Sequence, residues 1–203
     1  MRNIDKWVRD YTMNVDISNI EWIKLNGKEL GNFFEENYLD KEEWEYVLDE
    51  DANSLFPTPL GLSYLTLNDP QSELPYNFLL GIVDNNIGKK TIVSDIIYLD
   101  EYFIFGDQIE PLTYIASVEV NSYFRNRGIA RKMYSAFFDV ARPNQHVLTS
   151  MLSDMGKRYN LLELTKQVAL EKGFKKQIFE NNHNLNYTQI YELLCSKRKV
   201  LKR

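Results

Sequence analysis

The stretch from Tyr114 to Val140 limits what this chain can fold into more than any other. Residues 114–120 read Tyr-Ile-Ala-Ser-Val-Glu-Val, an apolar, β-branched run of strand length. It stops at Val120, where a polar turn begins, and Gly128 opens an amphipathic segment. Ile129, Met133, Phe137 and Val140 then recur at helical spacing, an apolar stripe along a helix predicted over 128–141. Such a stripe seats the helix on the sheet to which the strand belongs. The segment therefore fixes a strand–loop–helix unit inside a layered α and β protein.

The flanking pattern extends this. Residues 19–25 alternate as a first strand, closed by Asn26-Gly27, a turn pair. From Lys28 to about Asp51, Leu30, Phe33 and Phe34 and then Trp44, Val47 and Leu48 mark two helices, the second capped by Asp40 with Glu43 as a capping box. Pro57 and Pro59 end the helical region, since proline cannot continue it. Strands are expected at about 61–67, 77–84 and 90–99, the last extending through 102–105. Asp69-Pro70 and Asp84-Asn85-Asn86 are the turns between them. A short strand at 146–150, a helix over 155–172 and a closing hairpin of 173–180 with 187–195 complete the order. The pattern is α+β: two early and two late helices around a mixed, largely antiparallel sheet. A length of 203 residues suits a single domain, 1–203.

At the strand–helix junction the first N–H groups of the helix lack internal partners. With the positive end of the helix dipole they suit a phosphate. Gly128 carries no Cβ, so the loop can fold tightly and let a pyrophosphate approach its backbone. Ala130 keeps the next turn slim, and Arg125, Arg127, Arg131 and Lys132 surround the place with positive charge.

Arg125-Asn126-Arg127-Gly128-Ile129-Ala130 resembles the acetyl-CoA pyrophosphate loop, Arg-x-x-Gly-x-Ala, of the general N-acetyltransferase (GNAT) superfamily. The spacing from Val120 to Arg125 fits, as does Lys172-Gly173-Phe174 leaving the last helix. The likeness covers about 75–200 well and 1–75 only in outline, so 1–75 is read as an acceptor-side portion and 76–203 as the coenzyme-binding core. The resemblance implies a GNAT-like twisted sheet with helices on both faces, and transfer of an acetyl group from acetyl-CoA to a primary amine. It places Val118, Glu119, Val120 and Arg125 to Arg131 along the coenzyme. The backbone at 118–120 would bond the pantetheine arm, and an N–H near Val118 would steady the thioester oxyanion. Glu119 lies on the strand face opposite Val118 and Val120 and reads as structural or solvent-facing. The family's usual base positions hold Ala116 and Tyr114, and its usual acid position holds Ala169. Tyr159 and Tyr114 are the candidate catalytic residues, each with an ordinary packing role as the alternative. A rival within the same fold is a catalytically weak or silent acyl-CoA-binding module that regulates a partner.

Charge divides along the chain. Residues 1–112 carry 8 Lys and Arg against 22 Asp and Glu, and residues 113–203 carry 16 against 7. Either the acidic helices merely face solvent, or one half meets a polyanionic cofactor and the other a cationic acceptor, a small amine or a basic peptide. A rival of another class is a nucleic-acid-binding protein using the basic C-terminal half; the acidic half would repel polyphosphate, so no nucleic-acid partner is expected. The basic tail 197–203 reads as a solvated terminus, or as a further phosphate contact. No apolar run reaches membrane length, and the start lacks a secretory pattern, so a cytoplasmic protein is expected. A single cysteine, Cys195, and two histidines, His146 and His183, give no metal-site spacing. Trp22 and Trp44 read as core residues or as the lining of a pocket.

Overall fold

The computed structural model describes residues 15–37, 76–86, 88–105, 108–141, 145–150, 154–175 and 178–180. Several expectations lie outside them: the helix capped by Asp40 and Glu43, the strand at 61–67, the hairpin arm at 187–195, Trp44, His183, Cys195 and the basic tail.

Strand β1 (Glu21–Asn26) runs straight into helix α1 (Gly27–Asn37). Asn26 Oδ1 accepts the Glu29 N–H at 3.0 Å, and Glu29 Oε2 accepts the Asn26 N–H at 2.7 Å. This reciprocal pair is a capping box. It turns Asn26-Gly27 from the expected strand-closing turn into the first step of a helix. Next come β2 (Asn77–Asp84), β3 (Lys90–Phe105) and β4 (Gln108–Val120). After a 3-10 turn, Ser122–Phe124, follow α2 (Ile129–Val140), β5 (His146–Thr149), α3 (Asp154–Arg158), α4 (Leu161–Glu171) and β6 (Ile178–Glu180). The helix expected over 155–172 is thus two helices. Asn160 breaks it by adopting the left-handed conformation, φ 53°, which asparagine tolerates better than most residues.

The strands form one six-stranded open sheet in the order β1-β2-β3-β4-β5-β6. β1 and β2 are antiparallel. β2 and β3, and then β3 and β4, are neighbours joined by short connections, which permit only antiparallel pairing because a parallel return needs a dozen residues or more. β5 pairs parallel with both β4 and β6, each time across an intervening helical segment. The sheet is therefore mixed and largely antiparallel, as the sequence pattern indicates. The β4–β5 register runs from Leu112↔His146 to Ile115↔Thr149, with the Ser150 N–H donating to the Ile115 carbonyl. β4 itself continues to Val120.

Contacts divide the chain into two compact units, Met1–Ile97 with Ser117–Met133, and Tyr98–Ala116 with Tyr134–Arg203. In the first, α1 packs on β1 and β2 and buries Leu30, Phe33 and Phe34, the stripe read from the sequence. Trp22 of β1 stands opposite Gly81 of β2. A Cβ at Gly81 would lie 2.7 Å from the Trp22 ring and 2.8 Å from Ser94 Oγ, closer than real side chains approach. Glycine is what lets the indole lie across β2.

In the second unit, buried aromatics run edge to face from Tyr98 to Phe137 and Phe137 to Phe138, with centroids 5.3 and 5.2 Å apart. Phe138 continues to Phe174 at 5.1 Å. Phe174 reaches this cluster through the end of α4. The Phe174 N–H donates to the Ala169 carbonyl and the Gly173 N–H to that of Leu170, while Gly173 takes φ 72°. These two bonds around a left-handed glycine form a Schellman motif, which gives the Gly173-Phe174 pair a structural reason.

Replacing Gly81 with alanine forces the Trp22 ring and Ser94 to move in a packed unit, which typically costs about 1–3 kcal/mol. Chemical denaturation of Gly81→Ala should show a lower midpoint with an unchanged slope; an unchanged midpoint would show that the indole yields freely.

Candidate functional site

The loop between β4 and α2 lies wholly in the first unit, and buried side chains fix both of its ends. Phe124 and Ile129 are 1% and 2% exposed and form one cluster with Val83 and Val93, against which Trp22 and Val120 also pack. Trp22 is thereby a packing residue beneath the loop. Asn121, buried where β4 ends, uses every polar group it has. Its N–H donates to the Val93 carbonyl at 3.0 Å, its Oδ1 accepts the Tyr123 N–H at 3.1 Å and its Nδ2 donates to the Ile92 carbonyl at 3.4 Å. The Phe124 N–H closes the turn on the Asn121 carbonyl at 2.9 Å.

Between the two anchors the backbone is left-handed twice, at Asn126 with φ 64° and at Gly128 with φ 74°. The helical ladder starts with the Lys132 N–H on the Gly128 carbonyl, so the amides of the first turn precede it. A Cβ placed on Gly128 would meet nothing within 4 Å. Among the described residues no atom demands glycine here by crowding; the positive φ favours it, and the space beside the backbone is open. An open face beside a helix start is what a phosphate cradle requires, so these residues fit a pyrophosphate. Arg127, Gly128, Arg131 and Lys132 are exposed, and the Arg127 guanidinium lies 5.9 Å over the Phe124 ring, a cation–π distance. Ala130 is half-buried, and Ile129 points into the core.

Arg125 differs from the expectation that it simply adds charge at the loop's rim. Its Nε donates to the Val120 carbonyl at 2.8 Å, and its Nη2 pairs with Glu119 Oε1 at 3.4 Å. Glu119 is half-buried, and burial raises its carboxyl above the usual range while Arg125 pulls the other way. Close by is Asp95 of β3, fully buried, with neither carboxyl oxygen hydrogen-bonded. Desolvation, and after it the charge of Glu119, raise its pKa well above the ordinary value. Burial thus favours the protonated form of Asp95. In sequence it sits inside a long strand pattern, and nothing in that pattern distinguishes it from a surface acid.

The two candidate catalytic tyrosines belong to the second unit. Tyr114 is 2% exposed in β4, and Tyr159 is 54% exposed in the turn between α3 and α4. Ala116 and Ala169 are buried. His146 begins β5 opposite Leu112. Among the described residues no three or more His, Cys, Asp or Glu side chains are grouped as metal ligands, and no helix is long and apolar enough to cross a membrane.

No protein-family model matches the chain, and no curated protein is significantly similar to it. Solved structures are similar. One is a possible acetyltransferase from Clostridium difficile 630, 15% identical, covering 82% of this chain and 94% of its own, with a TM-score of 0.42. Another is an aminoglycoside acetyltransferase from an uncultured soil metagenomic sample in complex with trehalose, 17% identical over 90% and 89%, TM-score 0.37. A third is an aminoglycoside N-acetyltransferase in complex with CoA, 14% identical over 78% and 90%, TM-score 0.40. At these values the likeness is loose and carries no weight by itself. Function has to be judged from the residues of the loop.

The buried acid gives this unit a pH signature. Because the folded state holds the Asp95 proton above the ordinary pKa of 3.8, it binds more protons than the unfolded chain across that window. Stability then falls as pH rises from the ordinary value towards the raised one. Asp95→Asn removes the proton, so the difference in unfolding free energy between variant and wild type should grow in the variant's favour with rising pH. Equal slopes in denaturation series from pH 4 upward would show that Asp95 stays ionised in the fold.

Proposed function

We propose that the chain is an acetyl-CoA-dependent N-acetyltransferase acting on a primary amine. The observation that carries this is Gly128: a left-handed glycine whose absent side chain faces open space, at the start of a helix, with Arg127, Arg131 and Lys132 exposed around it. An anion with several closely spaced charges, such as a pyrophosphate, matches that combination of backbone donors, helix dipole and surface cations. The acyl-transfer chemistry comes from the resemblance of 125–130 to the GNAT loop. In this scheme the acceptor nitrogen attacks the thioester carbon, an N–H near Val118 steadies the oxyanion, and collapse breaks the C–S bond. The amine loses one proton and the departing thiolate gains one. Of the two tyrosines considered, Tyr159 has a phenol that meets solvent, while Tyr114 is in the core. By the resemblance, Tyr159, near the start of the helical region where the family places its acid, is the proposed proton donor, with Tyr114 the other candidate.

The direct experiment is thermal denaturation with and without acetyl-CoA. A ligand that binds only the folded state stabilises it by mass action, by about 2.7 kcal/mol at a hundred times its dissociation constant. The melting temperature should rise for wild type. Gly128→Glu should lose the rise by filling the open face with a negative charge, whereas Gly128→Ala should keep part of it despite the backbone strain. A folded wild-type protein indifferent to millimolar acetyl-CoA would exclude this function.

The charge division supports a cationic acceptor. An amine reaches the protein as an ammonium ion, and an acidic N-terminal half concentrates cations with an effect that fades as salt rises. Turnover of polyamines and basic peptides should exceed that of neutral amines at low ionic strength and lose the advantage at moderate ionic strength. In the same assays Tyr159→Phe should lower turnover by about 10²-fold, the lower end for a positioned acid, and Tyr114→Phe should not. Coenzyme binding without turnover on any amine would favour the second reading, a silent acyl-CoA-binding module, which the buried alanines at 116 and 169 make concrete.

A further inference from the structure

Arg125 is the first residue of the sequence pattern that marks the loop, yet two of its contacts turn back to the strand before it. Its Nε bonds the Val120 carbonyl at 2.8 Å, and its Nη2 meets Glu119 Oε1 at 3.4 Å. One planar guanidinium thus ties together the last two residues of β4 and the start of the left-handed turn. The planar fork holds its donors in a fixed geometry towards both acceptors, which the ammonium of a flexible lysine does not. The half-buried position of Glu119 makes its ionised form costly unless a cation stands beside it, and Arg125 is that cation. Asp95 lies near enough for the charge of Glu119 to act on it. It is wholly buried with neither carboxyl oxygen hydrogen-bonded, so it makes no bond to the guanidinium.

We infer that Glu119 and Arg125 are positioning residues for the loop: Glu119 orients the guanidinium, and the guanidinium fixes the Val120 carbonyl and the entry into the turn at Asn126. The inference rests on the pyrophosphate reading of the loop, which it deepens. It makes a prediction opposite in sign to simple electrostatics. Removing a carboxylate beside a polyanion site should tighten binding if charge alone matters. If Glu119 holds the brace, removing its charge loosens the loop and weakens binding.

The experiment uses the full chain as wild type, Glu119→Gln, Arg125→Lys and Arg125→Gln, with two readouts. By calorimetry with CoA, Glu119→Gln should bind about fivefold more weakly, the scale of one partly exposed charge-assisted contact. Arg125→Lys should lose as much as Arg125→Gln, because lysine keeps the charge and loses the fork. Tighter or equal binding by Glu119→Gln, with wild-type affinity in Arg125→Lys, would show a plain charge role and overturn the inference. The second readout needs no ligand: amide hydrogen exchange at Phe124 and Lys132, whose N–H groups close the turn and start the helix. Exchange there should quicken several-fold in Glu119→Gln and Arg125→Lys while the exchange of α1 stays unchanged, a local opening. Unchanged exchange in both variants would overturn the brace whatever CoA does. Quickened exchange in a protein whose wild type binds no CoA would keep the brace and discard the ligand.

Discussion

The burial of Phe124 and Ile129 beside Val83 and Val93 is the contact on which the loop depends. Fully burying one such side chain is worth roughly 1.5–3 kcal/mol. The two sit on either side of a four-residue stretch that is left-handed at two positions. A left-handed residue other than glycine costs about 1–2 kcal/mol, less for asparagine, and the fixed anchors on either side offset what remains of that cost at Asn126. The loop is a short span held taut between two side chains in one apolar cluster. Trp22 and Val120 pack on the same cluster, which links β1 and the end of β4 to the geometry of the turn.

Polar groups complete what the apolar anchors begin. Asn121 satisfies its donors and acceptor inside the protein at the point where β4 stops, so the chain can leave the sheet without stranding buried amides. Arg125 then donates to the Val120 carbonyl, the last of β4. Asp95 is the discordant member: a wholly buried acid without a hydrogen bond is a liability in any core. Desolvation, and after it the charge of Glu119, favour its protonated form, which lowers that cost, and Glu119 is itself paired with Arg125.

Much of this was legible in the sequence because the governing signals are local. The stripe Ile129, Met133, Phe137 and Val140 predicts the buried face of α2; the first three are buried, while Val140, the last residue of the helix, is exposed. The strand over 77–84 and the apolar face of α1 follow from spacing alone. Where the pattern misled, a side chain had acted on the backbone. Asn26 caps a helix instead of closing a turn, and Asn160 splits an otherwise continuous helix. Asparagine serves as cap, turn residue or left-handed residue with equal ease, so its identity does not announce which. Arg125 presents the same difficulty at the site: the motif places it at the loop, but its direction depends on a carboxylate and a carbonyl.

What the sequence determined by itself is the order of elements, the two helix faces that must be buried, and the place where glycine breaks the strand–helix passage. Periodicity and the conformational freedom of Gly128 are properties of a few neighbouring residues, and they hold before the chain folds. Tertiary structure alone decided that Gly81 yields its volume to Trp22, and that burial beside Glu119 raises the pKa of Asp95. Each of these depends on desolvation or close approach between strands distant in sequence. Such approaches exist only once the sheet has brought those strands together.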